Sequence, residues 1–71
     1  MSRYQAWKAE RVVTDGGILG GEPVFTGTRL SVRHIGGLLL NGHDVEVRED
    51  YPYLTNEDIE FAPVFTRAFR R

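Results

Sequence analysis

Residues 20–40 read GGEPVFTGTRLSVRHIGGLLL, and the spacing of apolar residues changes within them. Val24 and Phe25 follow Pro23 in a run that stops at Gly27, which predicts a short strand. From Ser31 onward Val32, Ile35, Leu38 and Leu39 recur at helical spacing. Ser31 is a good N-cap, and Asn41-Gly42 supplies a left-handed stop, so the spacing predicts a helix over residues 31–41. Gly36-Gly37 inside that helix costs about 1 kcal/mol per residue against alanine. The pair therefore predicts either the close approach of another backbone or a merely weak helix.

On the N-terminal side, RVVTD (residues 11–15) is β-branched and is closed by Gly16-Gly17, which predicts a second short strand. Five of the eight glycines lie between residues 16 and 27, so residues 11–28 form a strand and turn region with room for one β-hairpin. Pro23 cannot donate to a ladder and belongs at a strand start. On the C-terminal side, Asp44 is placed to cap a second helix over 44–51, with Val47 and Tyr51 on one face and Pro52 ending it. After a tight turn, Thr55 caps a third helix over 56–70, with Asp58 in the capping-box position. Ile59, Ala62, Phe65 and Phe69 run down one face, and Pro63 predicts a kink or break near Ile59 to Ala62. The expected fold is mainly α: a short β-hairpin or paired strands, then a three-helix bundle whose last two helices form a helix-turn-helix. Residues 1–71 form one domain, and residues 1–10 stay an N-terminal segment without an assigned element. Tyr4 and Trp7 in that segment pack either on the core or on a partner.

A chain of 71 residues buries only about 60% of its unfolded surface. With no cysteine it has no disulfide or thiolate staple, so the expected support is a partner or a second copy, a homodimer. The longest apolar run is Leu38 to Leu40, too short for a membrane span or a secretory segment, which implies a cytoplasmic protein. Charge is segregated. Residues 44–60 carry seven acids against one base, Arg48, while the rest carries eight bases against three acids. Separate acidic and basic faces steer charged partners.

No catalytic set stands out. Gly21 and Gly27 have the wrong spacing for a P-loop and lack its lysine, and no Gly-x-Gly-x-x-Gly occurs. His34 and His43 lie on different elements with no cysteine to join them. A non-enzyme with no cofactor and no metal is expected. The opening stretch then reads as a rigid elbow, with Gly20, Gly21, Pro23, Gly27 and Arg29 as its structural residues, delivering Leu30 and Val32 to the core. Arg29 and Arg33 stand at the helix start, where a cation is disfavoured by the dipole. They find either a carboxylate, with Asp15 and Glu22 as candidates, or an anion bound with the free amides of the helix start.

The stretches ILGGEPVFTGTRLSVRHI and GHDVEVREDYPYLTNEDIEFA resemble the domain of unknown function family 433 (DUF433), with its Gly-Gly-x-Pro and Gly-Thr-Arg signature. The resemblance implies a homeodomain-like, three-helix DNA-binding fold and an antitoxin of a bacterial type II toxin-antitoxin pair, partnered by a PIN-like nuclease and repressing its own operon. In a helix-turn-helix, the start of the last helix meets base edges. Here Asn56 is the one base-reading candidate there, while Glu57, Asp58 and Glu60 repel phosphates. Contact with DNA is therefore assigned to Arg3, Lys8, Arg11, Arg29 and Arg33, with Asn56. Toxin contact is assigned to VFTRAFRR, in which Val64, Phe65 and Phe69 alternate with Arg67, Arg70 and Arg71; the alternative is that these aromatics complete the domain's own core or a homodimer contact. These arginines suit the acidic cluster of a nuclease metal site. The alternative is a homo-oligomeric helix-turn-helix or structural module without a toxin, whose strands around Val12 and Phe25 pair between copies.

Overall fold

The structure, a computed structural model, describes residues 1–69. It is mainly helical. In chain order it has α1 (Arg3–Arg11), β1 (Val12–Val13), a 3-10 turn over Leu19–Gly21, β2 (Val24–Phe25), α2 (Val32–Leu40), α3 (Asp44–Asp50) and α4 (Asn56–Ala68). The two strands pair antiparallel, Val12 opposite Phe25 and Val13 opposite Val24. Both strands and the bundle of α2, α3 and α4 agree with the expected order.

The three-helix count does not hold, because α1 precedes the strands. Ser2 accepts a hydrogen bond from the Gln5 amide while the Gln5 side chain accepts from the Ser2 amide, a full capping box. Tyr4, Trp7 and Arg11 follow at helical spacing, and Lys8 and Arg11 suit the negative end of the helix.

Gly20, Gly21 and Gly27 have positive φ, and Leu19 joins them at φ 49°, a conformation that costs a non-glycine residue about 1–2 kcal/mol. Pro23 is buried, and its carbonyl accepts from the Val32 amide. The Phe25 amide donates to Leu30, and Thr28 bonds both the Phe25 carbonyl and the Leu30 amide. Together these bonds seat Ser31 as the N-cap of α2, accepting from the His34 amide.

Three boundaries differ from the sequence reading. His43, not Asp44, is the N-cap of α3, and it makes no side-chain cap bond; Asp44 stands inside the first turn. Phe69 is extended, so α4 ends at Ala68 rather than at residue 70, which lies outside the described residues. Pro63 does not break α4. It deprives the Ile59 carbonyl of a donor, but Ala62 and Phe65 on either side of it are buried and hold the helix in place.

The core gathers Trp7, Phe25, Val32, Ile35, Leu39, Val47, Ile59, Phe61, Ala62 and Phe65. Its largest helix pair is α2 with α4. Gly36 makes that crossing close: a Cβ placed there would lie 2.6 Å from the Ala62 carbonyl oxygen and would overlap the Thr66 side chain. Its neighbour Gly37 faces open space. Gly36→Ala should therefore lower the unfolding free energy by about 1–3 kcal/mol through overpacking. Gly37→Ala should be neutral or stabilising by up to about 1 kcal/mol. Urea unfolding of the two variants tests the pair, and equal effects would remove the close-crossing account.

Candidate functional site

The N-terminal half of α4 carries Asp58, whose side chain is completely buried. Burying a carboxylate is costly unless its oxygens are bonded, and here four donors converge. Trp7 Nε1 donates to Oδ1 at 2.8 Å, and Arg11 donates from Nε to Oδ1 at 3.1 Å and from Nη2 to Oδ2 at 2.9 Å. The Thr55 amide completes the set at 3.0 Å, closing the capping box that the sequence predicts. Burial pushes the pKa of Asp58 up, but the bonds from Arg11, Thr55 and Trp7 outweigh it and hold the carboxyl below its ordinary value. Further out, Arg3 reaches Glu60 at 2.9 Å and Glu57 at 3.5 Å in exposed pairs, and its guanidinium lies over the Phe61 ring.

The C-terminal end of α4 is different in character. Tyr4, Lys8, Phe65, Ala68 and Phe69 line a groove of about 190 Å³ between α1 and α4. Val64 is 45% exposed on the adjoining face, and Arg67 is exposed one turn on. Lys8 lies 5.8 Å from the centre of the Tyr4 ring. Among the described residues neither Lys8 nor Arg67 has a carboxylate within ion-pair distance.

The residues expected to meet DNA fall into two groups. Arg3 and Arg11 are held by the acids of α4, and Arg33 pairs with Glu22 at 3.3 Å while stacking 4.6 Å above Phe69. Asn56 accepts from Arg48 at 3.1 Å. Lys8 and Arg29 are exposed, and Arg29 has no hydrogen bond or ion pair among the described residues. Of the two arginines expected to find a carboxylate or an anion, Arg33 holds Glu22, and at the start of α2 the Val32 amide donates to Pro23 while the His34 and Ile35 amides donate to Ser31.

The residues expected to meet a toxin also divide. Phe65 belongs to the core and forms the floor of the groove, so it is not a free anchor. Phe69 is half-buried against it, with ring centres 5.7 Å apart. Val64 and Arg67 remain outward, and Arg70 and Arg71 lie outside the described residues. Sequence reasoning missed α1's part in the site. The signal was present in Ser2-x-x-Gln5 followed by Tyr4 and Trp7 at helical spacing. Among the described residues no group of three or more histidine, cysteine or acidic side chains is placed to hold a metal ion. No helix is long and apolar enough to cross a membrane.

Residues 12–66 match the model of a family described as protein of unknown function (DUF433). No curated protein and no solved structure matches the chain. The matched segment begins at β1, so α1 and Phe69 lie outside it while contributing to both ends of the site.

The Asp58 cluster sets an expectation in acid. Its folded pKa is depressed, so its stabilisation is fully present above the unfolded value of about 3.9 and is lost as pH falls through the lower folded value. Asp58→Asn should cost about 3 kcal/mol at neutral pH by leaving Arg11 without its counter-charge. It should also flatten the fall in stability between pH 5 and 3, read by urea unfolding at each pH. An unchanged pH slope would show that Asp58 is not the controlling carboxylate.

Proposed function

The chain belongs to the DUF433 family, and from that premise we propose that it is an antitoxin-like binding protein that docks a PIN-like nuclease through the C-terminal end of α4. The carrying observation is the pairing of Val64 and Arg67 with the groove of Tyr4, Lys8, Phe65, Ala68 and Phe69. Val64, Arg67 and Ala68 stand at i, i+3 and i+4 on one helical face. The groove offers a seat with three aromatic residues in its walls, and Lys8 and Arg67 are not engaged by carboxylates among the described residues. A seat of this composition suits a partner that presents acids around an apolar residue. A nuclease whose metal site is ringed with carboxylates is such a partner, and a guanidinium entering that ring makes bidentate contacts where the cation would sit. The reading is of a cytoplasmic inhibitor and not of a catalyst.

Operon repression, which the resemblance also implies, has weaker support. The outward face of α4 carries Asn56, Glu57 and Glu60, two of them acids that repel phosphates. Arg3 and Arg11, the cations nearest to them, already serve as their counter-ions or as that of Asp58.

The test uses substitution rather than truncation, because removing residues after Pro63 removes Phe65 from the core. Val64→Asp combined with Arg67→Glu should weaken binding to the PIN-like nuclease encoded beside the gene by about 10- to 100-fold or more. The midpoint of unfolding should stay near that of the unmodified chain. Titration calorimetry reads the affinity, and an unchanged affinity overturns the assignment of this face.

A further inference from the structure

α4 carries unlike surfaces at its two ends. Around its start stand α3 and the turn after it, where Asp44, Glu46, Glu49 and Asp50 are all exposed. Arg48, the base among them, bonds the Asn56 side chain. Two apolar side chains project from this acidic region, Val45 at 66% exposure and Tyr53 at 59%. Tyr53 is not loose: its ring stands edge-on to Tyr51, centres 6.3 Å apart, and Pro52 stiffens the turn between them. A ring held in place in this way loses little side-chain entropy on docking. Tyrosine is also among the residue types that most often carry binding energy.

At the other end, about 18 Å away along α4, lies the groove of Tyr4, Lys8, Phe65, Ala68 and Phe69, and Arg67, exposed in the same turn of α4, precedes Ala68 in the chain. Its volume of about 190 Å³ suits one aromatic ring. Three of its five lining residues are aromatic, and the cations beside it match the acids that flank Tyr53. The two surfaces are complementary in shape class and in charge, and one chain carries both.

We propose that the chain associates with itself head to tail, with Tyr53 of one copy entering the groove of the next and Glu49 and Asp50 facing Lys8 and Arg67. The contact joins unlike surfaces, so one copy's groove stays open after the first contact, and assembly continues beyond a dimer. The inference rests on the groove that the nuclease reading uses. Tyr53→Asp separates the two, because it removes the ring and leaves the groove intact.

The experiment is sedimentation velocity and light scattering of the purified chain from micromolar to millimolar concentration, at low and high salt. Mass should rise past that of a dimer without a plateau, and high salt should suppress the rise by screening the flanking charges. Tyr53→Asp, which blocks the knob, and Ala68→Trp, which fills the groove, should each lower the association constant at least about tenfold. Both positions are exposed, and unchanged circular dichroism melts show that each variant folds. Mixing the two variants should restore one intact contact and stop at a heterodimer. A chain that stays monomeric, a wild-type plateau at a symmetric dimer, or a mixture that fails to associate would each overturn the proposal. Nuclease affinity unchanged in Tyr53→Asp but lost in Ala68→Trp is expected if both readings hold. Loss of self-association in Tyr53→Asp with no nuclease binding by any form leaves the head-to-tail contact standing and removes the nuclease reading.

Discussion

A buried carboxylate needs every lone pair answered, and in this chain that demand joins parts of the sequence that nothing else would bring together. Asp58 draws Trp7 and Arg11 from α1 and the Thr55 amide from its own helix start. Because the four bonds come from two elements, they fix α1 against α4 in one register. The indole that donates to Asp58 also closes the core beside Phe61, with Tyr4 stacked on its outer side. Polar satisfaction and apolar burial are thus supplied by one residue. A domain of this size encloses little apolar surface without help, and here the help comes from within, as a helix that lies outside the matched family segment.

The same seam accounts for the electrostatics of the surface. In the linear sequence, the acids of residues 57–60 and the bases of residues 3–11 look like opposed faces waiting for partners. In the fold they face each other. Arg3 and Arg11 neutralise much of the start of α4, which leaves, among the described residues, the acids of α3 at one end, Lys8 and Arg67 at the other and Arg29 on the elbow among the charges open to a second molecule. The proposed contacts use the charges at the two ends of α4 and not those along its outward face.

Much of the fold was legible in the sequence because its signals are local. Ser31 and Thr55 cap their helices with the bonds their side chains imply, the elbow from Gly20 to Leu30 turns where glycine and proline direct, and the apolar stripe of α4 meets the core. Gly36 was legible as a sign of close packing, though not which of the two adjacent glycines carries it, since that depends on the rotation of α2 against Ala62 and Thr66. The break expected at Pro63 failed because a missing backbone bond is a local cost and the burial of its neighbours is not local. The candidate site was less legible. Phe65 lies on the apolar face of α4 and also within VFTRAFRR, and the fold, which buries it in the core below the groove while Arg67 stays exposed, decides between core and anchor. Arg29 and Arg33 were equal candidates for Glu22, and the stacking of Arg33 on Phe69, a contact across 36 positions of chain, selects between them.

The seam has a temporal side as well. Trp7 and Arg11 are separated from Asp58 by 51 and 47 positions, and ribosomes deliver a chain from its N-terminus at roughly 5–20 residues per second. The first helix of this protein is therefore made seconds before the surface that receives it. In that interval its indole is uncovered in the nascent chain, available to chaperones or to neighbouring polypeptides. Closure of the seam waits until α4 is made, and any slowing of translation across the middle helices lengthens the time for which the indole stays bare.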